Sequence, residues 1–134
     1  MACCKVSPPA YSANVMRLLS YPPQINSIVG KEHIDRGLFT IHLGDQGGKL
    51  LAIDNYGNEV CVSPKPGQVL IFFGVKCLWA SKGKVRPLRH KAVSTPNHLR
   101  EAVVTFWHTD NLDGYKVTNA ANAERYFDSL IQAA

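Results

Sequence analysis

Four residues of this chain have the types and spacing for metal chemistry: His33, Asp35, His90 and Arg100. His33 and Asp35 stand two positions apart in Lys31-Glu32-His33-Ile34-Asp35-Arg36-Gly37. In extended backbone, side chains two apart project to the same side, so an imidazole and a carboxylate can grip one ion together. Alone, H-x-D describes an ordinary surface His–Asp pair in a turn equally well. The second imidazole, His90, lies in the β-like run Arg86-Pro87-Leu88-Arg89-His90-Lys91-Ala92-Val93. If that run faces His33 across a barrel, two imidazoles and one carboxylate occupy one face of a metal and leave three positions open, a ligand set that suits Fe(II). The same donors also suit catalytic zinc, so a zinc hydrolase or isomerase on a cupin-like barrel is an alternative.

Arg100 opens Arg100-Glu101-Ala102-Val103-Val104-Thr105-Phe106-Trp107, in which Arg100, Ala102, Val104 and Phe106 share one strand face. A guanidinium at the rim of an apolar barrel is costly without an anion, and its planar fork fits a carboxylate. A long side chain reaching out from a strand start has the same sequence signature. His42, His98 and His108 lack a matching partner set and read as structural or exposed. Lys82, Lys84, Arg86, Arg89 and Lys91 flank His90. They suit either the gathering of an acidic substrate or a solvated turn and strand edge. No groove-reading motif or aromatic stacking pattern accompanies them, so a nucleic acid is not an expected partner.

These residues need a scaffold of strands. Strand-like runs at 15–19, 38–43, 49–53, 59–62, 68–73, 77–80, 85–93 and 100–108 are separated by turn signals at Tyr21-Pro22-Pro23, Gly30, 44–48, Asn55-Tyr56-Gly57-Asn58, 63–67 and Lys82-Gly83-Lys84. About eight short strands with no helix between them predict an antiparallel all-β core, a sandwich or a jelly roll. The C-terminus differs: Ala123, Tyr126, Phe127, Leu130 and Ile131 form one apolar helical stripe, with Thr118 or Asn119 as cap. The expected organisation is a loose lead-in over 1–14 and one domain over 15–134.

The totals agree with a small soluble enzyme or binding domain. A chain of 134 residues, 46 % hydrophobic and 19 % charged, suits one domain with its own core. A net charge of +5 says little about partners. The four cysteines, Cys3, Cys4, Cys61 and Cys77, show no C-x-x-C spacing, which removes zinc ribbons and thioredoxin-type motifs. Cys61 and Cys77 read as buried thiols. Without a secretory signal the reading is a reducing, cytoplasmic setting. The apolar stretch 69–75 is too short to span a bilayer, so no membrane partner is expected.

The ordered set resembles the isopenicillin N synthase-like Fe(II)/2-oxoglutarate-dependent dioxygenases. Arg17-Leu18-Leu19-Ser20-Tyr21-Pro22-Pro23 is similar to that family's RL-x-x-YPP strand and turn, and residues 30–40 to its G-x-x-H-x-D-x-G-x-x-T block. Residues 66–74 resemble its PG-x-x-x-x-x-x-G strand, and residues 78–93 its LxxWSNGxYRSxxHRV segment. The resemblance runs from about Arg17 to Trp107 and implies a double-stranded β-helix. It implies Fe(II) held by His33, Asp35 and His90, and 2-oxoglutarate as cosubstrate, with Arg100 on its distal carboxylate and the Tyr21 hydroxyl beside it. The implied reaction hydroxylates or oxidises an unidentified small molecule as 2-oxoglutarate is decarboxylated to succinate.

Two departures accompany the resemblance. The family's R-x-S pair is here Arg100-Glu101-Ala102, which lacks a hydroxyl donor to the cosubstrate. Family members also carry a long N-terminal part that walls the barrel, whereas this chain, a fragment or a natural minimal protein, starts almost at the RL-x-x-YPP strand. Barrel surface left bare would self-associate or take a second protein. A catalytically inactive metal-binding barrel, acting as a binding or scaffold domain, is the alternative function.

Overall fold

Short runs with alternating burial, broken by glycine and proline turns, make strands with one buried face. The computed structural model describes residues 14–23, 28–109, 125, 126, 128, 129 and 132, and among them are eight strands and one short helix. They are β1 (Val15–Tyr21), β2 (Ile28–His33), β3 (Phe39–Gln46), β4 (Gly48–Ile53), β5 (Glu59–Cys61), β6 (Leu70–Phe73), α1 (Val75–Ala80), β7 (His90–Ser94) and β8 (Arg100–Trp107). One sheet has the order β1-β8-β3-β6 and the other β2-β7-β4-β5, with every pairing antiparallel. The chain passes repeatedly from one sheet to the other, a jelly roll, which is one of the two antiparallel architectures the strand pattern allows.

Leu50, Ala52, Phe72, Ala102 and Val104 on the strands, with Ile34, Val75 and Leu78 where α1 docks, are the buried apolar residues. The interior also buries Thr40, His42, His90 and Arg100, residues that a core built for packing alone would exclude. On the outside, the two edge strands of the first sheet leave apolar side chains exposed, Met16 and Leu18 on β1 and Ile71 and Phe73 on β6.

Several local expectations are corrected. Residues 77–80 are not a strand but the end of α1; a short apolar run does not reveal its period, and here Val75 and Leu78, three apart, are the buried pair. Gly30 is not a turn but lies inside β2 opposite Ala92, with register shifts on both sides, as glycine within a strand often marks. β3 continues through 44–46, and the turn tightens to Gly47 with φ +70°. Of 85–93, only the part from His90 onward is strand; Pro87 has no N–H to give a ladder. Cys61 is exposed on edge strand β5, and Cys77 is half-buried.

The basic run beside His90 is partly neutralised. Arg89 pairs with Glu32 at 3.4 Å and with Asp128 at 3.7 Å, and Lys91 pairs with Glu59. At the C-terminus Arg125, Tyr126, Asp128, Ser129 and Gln132 are helical, and the Tyr126 ring lies 5.2 Å from that of Trp79 on α1. Ala123, Phe127, Leu130, Ile131, Thr118 and Asn119 lie outside the described residues, as does 1–13 of the lead-in.

Helix α1 is pinned by main-chain bonds to the segment after β2. Val75 N–H donates to the Asp35 carbonyl at 2.8 Å, and Lys76 N–H to that of Gly37 at 3.1 Å. Gly74 permits this approach: a Cβ there would lie 2.3 Å from the Gly37 carbonyl oxygen and 2.7 Å from that of Asp35. Gly74→Ala is therefore expected to destabilise the fold by about 1–3 kcal/mol, read as a lower denaturant midpoint at unchanged slope.

Candidate metal centre

His33 ends β2 and His90 begins β7, and the two are direct partners in the antiparallel ladder. His90 thus reaches His33 from the neighbouring strand of the same sheet rather than across the barrel. Their ring centroids are 4.4 Å apart. Asp35 follows in the segment that α1 holds. Its Oδ1 lies 3.3 Å from His33 Nε2 and 3.8 Å from His90 Nε2. One ligand atom from each of the three falls within 4.8 Å of the others.

Main chain and a hydroxyl fix these donors. His33 Nδ1 faces the Lys31 carbonyl at 2.6 Å, and His90 Nδ1 faces that of Leu88 at 3.1 Å. A carbonyl oxygen only accepts, so Nδ1 carries the proton of the neutral ring and Nε2 keeps its lone pair for an ion. The Thr40 hydroxyl donates to Asp35 Oδ2 and leaves Oδ1 turned toward the imidazoles.

The electrostatics favour the ligating protonation states. Burial works to raise the pKa of Asp35, but the hydrogen bond that His33 Nε2–H donates when its ring is protonated, the charge of a protonated His90 and the Thr40 hydroxyl outweigh it and hold the carboxyl below its ordinary 3.8. Burial foremost pushes His90 below its ordinary 6.5, against the pull of the Asp35 carboxylate. At neutral pH the site holds a carboxylate and an uncharged His90, as a divalent metal requires. His33 is 40 % exposed while Asp35 and His90 are each 6 % exposed, so access comes from the His33 side.

The three residues share a cavity of about 170 Å³ with Tyr21, His42 and Arg100. Arg100 and Phe106 stand at opposite ends of the inner row of β8, and Thr40, the residue on Asp35, pairs with Phe106. Tyr21 is the β1 partner of Arg100, and the guanidinium lies 5.7 Å from its ring centre. The cavity therefore runs from a group of metal donors to a guanidinium, with Leu50, Phe72 and Val104 on its wall. A second guanidinium, that of Arg17, also lines it and stacks over Phe106 at 5.3 Å.

Two residues at the Arg100 end escaped the sequence reading. Asp45 Oδ2 accepts from Arg100 Nη2 at 2.8 Å, with the two side chains 0 % and 1 % exposed. His42, expected to be structural or exposed, lines the cavity with its Nε2 3.4 Å from Asp45 Oδ2. Strand alternation from Thr40 and His42 would turn Asp45 outward. A bulge in β3 changes this: His42 pairs with Val104, but Gly44 pairs with Val103 and Asp45 with Ala102. The extra residue reverses the side-chain parity. Gly44, directly after the strand-like run 38–43, was the available signal.

Comparison with known proteins agrees with this geometry. The 2OG-Fe(II) oxygenase superfamily profile matches residues 12–110. A flavanone 3-dioxygenase from Petroselinum crispum is 34 % identical over 90 residues, 64 % of this chain and 24 % of that protein. The chain spans about a quarter of the length of the curated relatives it matches. Among solved structures, Arabidopsis thaliana AtDAO1 (dioxygenase for auxin oxidation 1) in its 2-oxoglutarate complex superposes with a TM-score of 0.65 at 24 % identity, over 72 % of this chain and 38 % of that one. A 2OG-Fe(II) oxygenase family protein from Caulobacter crescentus gives 0.65 at 24 % identity, over 91 % and 45 %. Both show the same fold. Among the described residues, no helix is long and apolar enough to cross a membrane.

Two outcomes are expected. The depressed pKa of His90 means that the unfolded chain binds more protons below pH 6.5, so the metal-free protein should lose stability as pH falls from about 7.5 to about 5.5; denaturant midpoints across that range check it, and His90→Gln should flatten the slope. Thr40→Val should weaken metal binding about 10- to 100-fold, measured by anaerobic Fe(II) titration with circular dichroism confirming the fold.

Proposed function

The chain belongs to the 2OG-Fe(II) oxygenase superfamily, and from that premise we propose that it is the catalytic core of a dioxygenase acting on a small organic molecule. His33, Asp35 and His90 hold Fe(II), and Arg100 and Tyr21 receive the far end of 2-oxoglutarate. The observation that supports this best is a cavity with three convergent metal donors at one end and a buried guanidinium at the other.

Iron with 2-oxoglutarate would supply the activation of oxygen that drives oxidation of a C–H bond, the cosubstrate leaving as succinate and carbon dioxide. The chain's own residues prepare that chemistry. The Lys31 and Leu88 carbonyls hold the imidazoles in the ligating tautomer, and Thr40 holds the carboxylate oxygen that faces away from the ion. Leu50, Phe72 and Val104 keep the walls dry between the two ends. The half-exposed side at His33 admits the substrate.

The exposed apolar residues on β1 and β6 support coverage of the first sheet's edges by a second copy or a second protein. Cys61 and Cys77 as thiols suit a cytoplasmic setting. A non-catalytic barrel that only holds metal is the second reading, and the Arg100–Asp45 pair favours it because the guanidinium already has an anion.

One experiment separates the two. Anaerobic protein loaded with Fe(II) is expected to develop a weak visible band near roughly 500 nm on addition of 2-oxoglutarate, and to release succinate when oxygen is admitted. Asp35→Ala should lose both. Iron binding with no band at saturating 2-oxoglutarate and no succinate would overturn the oxygenase reading in favour of the metal-holding barrel.

A further inference from the structure

The Arg100 end of the cavity is built differently from a plain anion site. Its guanidinium and the Asp45 carboxylate are fully buried together, and each keeps an atom with no hydrogen-bond partner among the described residues, Arg100 Nε and Asp45 Oδ1. His42 Nε2 is a third such atom, and His42 lines the same cavity. The space for the Arg100 side chain comes from Gly48, where a Cβ would meet Arg100 Cδ at 2.4 Å. The bulge in β3 is what aims Asp45 inward. The space at Gly48 and the bulge in β3 together place a counterion on Arg100.

We propose that Asp45 is a specificity-determining residue that neutralises Arg100, so that the site takes 2-oxo acids with an uncharged, hydrogen-bond-accepting tail about as readily as 2-oxoglutarate. This rests on the oxygenase reading above. The unit charges of Arg100 and Asp45 cancel where little water screens them. A second carboxylate entering there adds an anion beside Asp45 and has no net charge to meet. One terminal nitrogen of the Arg100 fork is already spent on Asp45, which weakens two-point recognition of a carboxylate. Ala102, the ladder partner of Asp45, offers no hydroxyl in compensation. An uncharged acceptor avoids the repulsion and still hydrogen-bonds to Arg100, so recognition falls on the oxo-acid head that the metal chelates.

The test uses the Fe(II)-loaded wild-type protein without oxygen, titrated with 2-oxoglutarate and separately with its monoester methylated at the distal carboxylate. The chelate band reports binding of each, independently of turnover. The two affinities are expected to lie within about three-fold, and Asp45→Asn is expected to raise the preference for the dicarboxylate about ten-fold or more. A wild-type preference for the dicarboxylate above about ten-fold overturns the inference and leaves the oxygenase reading intact. Should Asp45→Asn fail to fold, with Arg100 left buried and unpaired, the wild-type comparison decides alone. No band with either acid overturns both the inference and the reading beneath it.

Discussion

A carboxylate removed from water must be surrounded by partners, and Asp35 sets that requirement for the whole molecule. At 6 % exposure its charge persists only because two imidazoles and a hydroxyl face it. Each partner comes from a different place: His33 from β2, His90 from β7 and Thr40 from β3. The segment that carries Asp35 is in turn held by the first turn of α1. Both sheets and the helix must be assembled before the charge is satisfied. The donor cluster is therefore a product of tertiary structure, although two of its members are neighbours in sequence.

The jelly roll suits this demand because its two sheets enclose a narrow interior lined by alternate residues of every strand. Such an interior is normally apolar. Here the inner row of β3 carries Thr40, His42 and, past the bulge, Asp45, while β8 contributes Arg100. The apolar stretch between them, Leu50, Phe72 and Val104, separates two polar ends instead of filling a continuous core. Part of the stability available to a barrel of this size is thereby given up for a site.

Most of the strands are legible in the sequence because alternation and turn residues are local signals. So is the pairing of His33 with Asp35, which depends only on a two-residue repeat. What escaped depends on contacts distant in sequence. α1 reads as a strand because four apolar residues do not reveal a period, and only docking on 34–37 decides it. Gly30 reads as a turn because glycine alone does not show that Ala92 lies opposite. Asp45 reads as part of a turn over 44–48 because nothing local shows β3 running on through a bulge, and His42 reads as structural or exposed because only that bulge turns Asp45 toward it. The assignment of His90 to the site came from its run and from motif order, yet the route was misjudged: it arrives along the same sheet.

The two ends of the cavity are held by different kinds of bond. At the metal-donor end, the groups that fix both imidazoles and the Asp35 segment are main-chain carbonyls and amides. Replacing the side chains of Lys31, Leu88 or Lys76 leaves those bonds in place. At the Arg100 end the groups that meet the guanidinium are side chains, Asp45 and Tyr21, with His42 beside Asp45. Inherited change is therefore buffered at one end and expressed at the other. Single substitutions can alter the surroundings of Arg100 while the donor cluster stays fixed, so divergence within such a barrel should accumulate at the guanidinium end sooner than at the donor end.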